Sequence, residues 1–123
     1  MILTKLALAA LTVHVAMGSG VDAPARDLTM TQRNAATQAY VRPVTDCIAG
    51  SVAADARFRK DDPAANLGDL IVDAVPKCMG RVRAMIDAYD RYFGDGSGEA
   101  YFMGPYLDVL PSVLVKRIKA VAE

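Results

Sequence analysis

The two cysteines of this chain, Cys47 and Cys78, stand on either side of a stretch that has the composition of a turn. Each falls on an apolar stripe with helical spacing, and the midpoint between them lies between Asp62 and Pro63. If the chain folds back there, two facing helices bring both cysteines to the same height. The pattern predicts a disulfide, which requires Cα atoms about 5.5–6 Å apart and stabilises a fold by roughly 3–4 kcal/mol in the chain-entropy model.

The strongest periodic signal follows that turn, from Leu67 to Tyr92. Asp62 and Pro63 form the predicted N-cap and first helical residue, and Gly94 is the predicted stop. Pro76 predicts a kink or a division of the helix, because proline removes a hydrogen bond and crowds the preceding turn. The apolar face, at steps of three and four residues, consists of Leu67, Ile71, Val75, Cys78, Val82, Met85, Tyr89 and Tyr92.

An earlier helix is predicted from about Thr31 to Ala54, and Pro43 inside it indicates a break between a short first part and a longer second part. Its apolar stripe consists of Ala36, Tyr40, Val44, Cys47, Ile48 and Val52. A last helix is predicted from about Ser112, its N-cap, to Ala122. Leu114, Ile118 and Val121 form the apolar face of that helix. The predicted fold class is all-α: a small three- to four-helix bundle built on a disulfide-stapled antiparallel helical hairpin.

The N-terminal residues 1–25 have the pattern of a secretory signal peptide. Lys5 precedes a short apolar run, and small residues follow it. Cleavage is expected after residue 25, with an alternative cut after residue 18. A retained membrane anchor is the other interpretation, but it requires about 20 apolar residues and His14 interrupts the run. Cleavage leaves residues 26–123 as a single helical domain, periplasmic or secreted, where a disulfide persists.

The composition of the cleaved chain argues against most catalytic sites. Its only histidine, His14, leaves with the signal peptide, so neither a Ser-His-Asp nor a Cys-His site can form, and no His-based zinc site either. We therefore expect no enzyme activity, no cofactor and no metal. The 14 basic and 14 acidic residues of the full sequence balance, and the predicted cleavage removes one of each, Lys5 and Asp22. Nucleic-acid binding, by contrast, requires a basic footprint. No stable membrane insertion is expected after cleavage.

Residues 94–106 combine alternating glycines with aromatic side chains. No P-loop or dinucleotide fingerprint is present, so the glycines predict a helix stop followed by a mobile linker. The aromatic segment has two interpretations: a cap over the open end of the hairpin, or a docking surface, since Tyr, Phe and Met are enriched at interface cores. The predicted partner-binding residues are Tyr101, Phe102, Met103, Pro105 and Tyr106 at the centre, with Asp95 and Glu99 on the rim.

The function expected from these features is binding to another protein in the envelope or extracellular space. A small exported helical protein of this kind acts as a chaperone, as an inhibitor or immunity-type protein, or as an accessory subunit. The alternative is a carrier that holds a small apolar ligand between the helices, under the aromatic segment.

Overall fold

A computed structural model describes residues 27–122, and their side chains up to residue 120. The predicted signal peptide, residues 1–25, and the side chain of Val121 lie outside that description. The regular elements within it are helical throughout, which confirms the all-α class. In order, they are α1 (Met30–Ala54), α2 (Leu67–Ala74), a 3₁₀ turn (Val75–Cys78), α3 (Met79–Phe93), α4 (Ser97–Tyr101), a π-helical turn (Phe102–Tyr106) and α5 (Leu107–Ala122).

Helix α1 begins at a capping box and continues through its internal proline. The Thr29 hydroxyl accepts a bond from the Gln32 N–H (3.1 Å), and the Thr29 N–H donates to the Gln32 side chain (2.8 Å). The predicted break at Pro43 is wrong, since α1 is unbroken there. Val41 and Val44 on either side of Pro43 are buried in the same core, and such packing supplies most of the stability of a helix in a protein.

Helices α2 and α3 are separated where Pro76 predicts a division, at the 3₁₀ turn Val75–Cys78. The predicted stop at Gly94 is also confirmed, because Gly94 caps α3 with a positive φ of 106°. The predicted start at Asp62 and Pro63 is wrong. Turns occupy residues 60–61 and 63–66, and α2 begins only at Leu67, the first side chain after them that is buried in the core.

The Cys47–Cys78 disulfide joins α1 to the 3₁₀ turn and is confirmed by the structure. The two Cα atoms lie 5.9 Å apart across 31 positions of sequence. Cys78 is buried and also serves as the N-cap of α3, whereas Cys47 is partly buried. The bridge therefore fixes the end of the α2 segment and the start of α3 against the middle of α1.

The prediction of an irregular, mobile linker after Gly94 is wrong. The chain re-enters a helix at Ser97 and stays helical through the aromatic segment, so α5 begins at Leu107 rather than at Ser112. Within the π-helical turn, the Leu107 N–H donates to the carbonyl of Phe102, five residues earlier. Proline at position 105 has no N–H to contribute to an ordinary helical ladder, which accounts for the altered pattern at this point.

One core joins α1 to every later helical segment except α4, and α1 packs against α2, α3 and α5. The buried cluster consists of Val41, Val44, Ile48, Val52, Leu67, Leu70, Ile71, Ala74, Cys78, Val82, Met85, Phe102, Tyr106, Leu110 and Leu114. Tyr40, predicted in the α1 stripe, is exposed instead, and its hydroxyl accepts a bond from Arg91 at 3.3 Å. Across residues 27–122, the helices lack the combination of length and apolar character that crossing a membrane demands.

Candidate functional site

The structure divides the predicted partner-binding residues between the core and the surface. Phe102 and Tyr106 are buried, which is a correction to their predicted place at the centre of an exposed patch. The π-helical turn places the two residues on the same inward side, with their ring centroids 5.7 Å apart. These two side chains are thus part of the core rather than of an exposed docking surface. Of the others, Met103, Pro105, Asp95 and Glu99 are exposed, and Tyr101 is half-buried.

Tyr101 connects the aromatic segment to α3. Its ring stacks on Tyr89 with centroids 4.1 Å apart and an interplanar angle of 12°, and Tyr89 also stacks on Phe93 at 5.5 Å. Burial raises the pKa of the Tyr101 phenol, and the adjacent phenol of Tyr89 adds to the increase. Tyr101 therefore stays neutral at physiological pH, and its side chain is only partly exposed to solvent.

A buried hydrogen bond fixes Tyr106 to α1. The hydroxyl groups of Tyr106 and Thr45 lie 2.9 Å apart, and Thr45 also donates to the carbonyl of Val41 at 3.3 Å. Burial raises the pKa of Tyr106, while the bond with Thr45 and the charge of Arg117 act in the opposite direction. This bond holds the start of α5 beside the middle of α1.

Beside this bond, a groove of about 280 Å³ lies between α1 and α5. We define the α1–α5 groove by the residues that line it: Gln38, Val41, Arg42, Thr45, Tyr101, Tyr106, Val109, Leu110, Val113 and Arg117. Buried Val41 and Leu110 form its base, whereas Val109 is 54% exposed and Val113 is 40% exposed. The groove thus presents two large apolar side chains to solvent, one helical turn apart on α5.

Polar side chains surround this apolar strip. Gln38 and Arg42 belong to α1, and Arg117 of α5 donates from Nη1 to Oδ1 of Asp46 at 2.5 Å. That ion pair spans the two helices at the end of the groove. An apolar centre with a polar, partly cationic edge is the general composition of a protein–protein interface.

A second group of ion pairs lies on the surface around the α1–α2 connection. Arg57 bonds to Asp55 at 3.0 Å and to Asp73 at 2.5 Å, which ties the α1–α2 connection to α2. The hydrogen bonds from Arg57 lower the pKa of Asp55 to about 2. Within the described residues, no group of three or more His, Cys, Asp or Glu side chains is placed to hold a metal ion.

Val109 and Val113 are the main residues of the groove that the sequence-based prediction missed. The prediction began the last helix at Ser112, which left Val109 outside any helical pattern. A signal was nevertheless present, because Tyr106, Leu110 and Leu114 recur every four residues, and the two valines recur beside them at the same interval. Tyr101 and Tyr106 are the predicted site residues that the groove retains.

No family model matches this chain, and no curated protein or solved structure is significantly similar to it. The functional proposals below therefore rest on the residues and geometry of the chain itself.

Proposed function

We propose that this protein is a small exported helical protein that acts by binding another protein, and that the partner docks on the α1–α5 groove. The observation that carries the proposal is the exposure of Val109 and Val113 beside a groove with an apolar base. An apolar groove between two helices is the kind of surface that accepts the apolar face of an amphipathic helix from a partner. The role is one of binding rather than catalysis.

The architecture that presents the groove is, in our proposal, a small bundle built on an antiparallel hairpin of α1 with α2 and α3. The order of the cross-contacts supports this arrangement. Tyr40 near the start of α1 meets Arg91 near the end of α3, whereas Arg57, just after α1, meets Asp73 in α2. Helix α5 packs on this hairpin along α1, and the exposed side of the seam between α1 and α5 is the surface that, in our proposal, a partner covers.

The aromatic segment contributes to this surface at one edge. Tyr101 lines the groove and remains half-exposed, while its stack on Tyr89 limits the rotamers it can adopt. A rigid aromatic ring loses little conformational entropy on binding, which is why tyrosine is common among residues that dominate interface energetics. The partner-binding prediction for Met103, Pro105, Asp95 and Glu99 stays a prediction, and these residues are not among those that line the groove.

A matched pair of variants tests the proposal. We expect the double substitution Val109→Ser and Val113→Ser to weaken capture of the partner at least about tenfold, which corresponds to about 1.4 kcal/mol. Val72→Ser is the control, because Val72 is 68% exposed on α2 and lies outside the groove. Tagged wild type and both variants would be purified from the envelope fraction under identical conditions and their co-purifying proteins quantified by mass spectrometry.

The outcome that contradicts the proposal is equally concrete. If the groove variant keeps the circular dichroism of the wild type and retains every protein that the Val72 variant retains, the groove is not the docking surface. Loss of the same proteins from both variants would also contradict it, because exposed valines in general would then be responsible.

The second candidate function is the carriage of a small apolar ligand. A separate cleft of about 660 Å³, lined by Phe58 and lying between α1, the α1–α2 connection and α5, favours it. Its size falls within the roughly 300–1,000 Å³ of small-molecule sites in proteins.

A further inference from the structure

The larger cleft lies at the opposite end of the α1–α5 seam from the protein-binding groove. We define the Phe58 cleft by its lining residues: Asp46, Ala49, Gly50, Ala53, Phe58, Lys60, Arg117 and Ile118. The Asp46–Arg117 ion pair stands between the two spaces, because Arg117 lines both of them. Apart from Arg117, the lining residues of the cleft differ from those of the groove, so the cleft can be altered without changing Val109 or Val113.

The interior of the Phe58 cleft is lined by apolar side chains and one glycine. Ala49 and Ala53 lie one turn apart on α1, and their small side chains leave room above the helix. Gly50 beside them is open, since a Cβ at that position would meet nothing within 4 Å. Half-buried Phe58 and Ile118 close the two sides. Such a channel suits an unbranched aliphatic chain, which needs contact along its length and no hydrogen-bonding partner.

Three of the residues that line the cleft are charged. Lys60 and Arg117 are cationic and Asp46 is anionic, so the lining carries an excess of one positive charge. Arg117 holds the carboxylate of Asp46 at 2.5 Å. Lys60 stands on the exposed α1–α2 connection, next to Phe58 in the cleft wall. The excess charge therefore matches a ligand with a single anionic group.

Taking up the second candidate function, we propose that the Phe58 cleft binds a free single-chain amphiphile with one carboxylate, of the fatty-acid class. The alkyl chain lies along Ala49, Ala53, Phe58 and Ile118, and the carboxylate lies at the cationic end, at Lys60. The hydrophobic effect supplies most of the affinity, at about 25 cal/mol for each Å² of apolar surface removed from water. The charge at position 60 selects an acid over a neutral analogue.

Fluorescence titration with a dansylated undecanoate, kept below its critical micelle concentration, tests this proposal on the full mature chain. We expect saturable one-to-one binding to the wild type, and affinity for the methyl ester of the same probe about tenfold weaker. Lys60→Glu should weaken binding of the acid by at least about the same factor. Lys119→Glu is the control, because it makes the same change in net charge at an exposed position of α5 outside the cleft.

A second variant separates shape from charge. Ala53→Trp places an indole in the channel at an exposed position, so the fold is expected to tolerate it, and it should abolish saturable binding of both acid and ester. If the Lys60 and Lys119 variants bind the acid probe with equal affinity, the carboxylate does not lie at Lys60. If the Ala53 variant binds the probe as tightly as the wild type does, the alkyl chain does not lie in the cleft. Binding to anionic phospholipid vesicles without binding of the monomeric probe would point to a membrane surface and also overturn the proposal.

Failure of this experiment leaves the protein-binding proposal intact, since none of its variants changes Val109 or Val113. Conversely, we expect the Val109 and Val113 double variant to bind the dansylated probe with the affinity of the wild type, even where it no longer captures the partner protein. The two sites are therefore tested separately, although they lie along one seam of the molecule.

Discussion

Replacing Gly98 by alanine is expected to force α4 away from α3. Gly98 is buried, and a Cβ built on it would lie 2.6 Å from Cα and 2.7 Å from the carbonyl carbon of Ile86, with the Ile86 carbonyl oxygen closer still. These atoms belong to the backbone of α3, so they cannot rotate aside as the end of a side chain would. The two helices must separate to admit the methyl group.

The loss in the free energy of unfolding depends on the contacts that this separation of α3 and α4 disturbs. Overpacking costs about 1–3 kcal/mol, and here it also strains the bond from the Gly98 N–H to Asp90 at 2.8 Å and the stack of Tyr89 on Tyr101. The preference of a helix for alanine over glycine returns about 0.5–1 kcal/mol. We therefore expect a net loss of about 1–3 kcal/mol, or a fall in Tm on the order of 5–20 °C for a domain of this size.

Urea unfolding followed by far-UV circular dichroism measures this loss directly. Gly80→Ala is the matched control, because Gly80 lies in α3 and a Cβ there would meet nothing within 4 Å. The control should be more stable than the wild type by about 0.5–1 kcal/mol. If both substitutions stabilise the protein, α4 does not pack on the backbone of α3 as described, and the placement of the aromatic segment is refuted with it.

Three further predictions concern the disulfide, the buried phenol of Tyr106 and the dependence of folding stability on pH below about pH 4. Replacing Cys47 and Cys78 by alanine should lower the free energy of unfolding by roughly 3.7 kcal/mol, from the 31-residue separation; a loss below about 1 kcal/mol in urea melts would contradict this. Tyr106→Phe should cost about 0.5–1.5 kcal/mol, because a buried hydrogen bond is lost; an unchanged melt would contradict that bond. Arg57 lowers the folded pKa of Asp55 from 3.8 to about 2, so its stabilisation is present above about pH 4 and is lost towards pH 2. NMR titration of the carboxyl carbon should give that pKa, and a value near 3.8 would contradict the Arg57 contact.

The parts of the fold that periodicity and special residues determine were predictable. Apolar spacing located α1 and α3, Pro76 located the division before α3, and Gly94 located its end. The disulfide followed from two cysteines placed on facing stripes. These features depend on local backbone chemistry, which acts in the same way whatever surrounds it.

The sequence-based prediction is wrong where tertiary packing outweighs the local conformational preference of a residue. Pro43 and Pro111 both lie inside helices, because the buried residues around them compensate for the hydrogen bond that each proline removes. Ala88 is fully buried although a small side chain gives little signal in an apolar stripe. Thr37 is buried too, since its hydroxyl bonds to the carbonyl groups of the preceding turn.

The candidate site was predictable only in part, for a related reason. The aromatic residues at 101–106 indicate a segment that contributes to the groove, but the sequence alone does not show which of their rings face the core. The π-helical turn decides this, turning Phe102 and Tyr106 into the core and moving the exposed apolar surface to Val109 and Val113 on α5. A local change of helical pattern of this kind leaves little trace in composition.

Site-specific photo-crosslinking tests the protein-binding proposal most directly. A photoreactive amino acid would replace Val113 in the α1–α5 groove or, as the control, Val72 on α2, and the producing cells would be irradiated intact. We expect a discrete crosslinked product of defined mass from position 113 and none of that mass from position 72. The same product from both positions, or from position 72 alone, would contradict the groove as the docking surface.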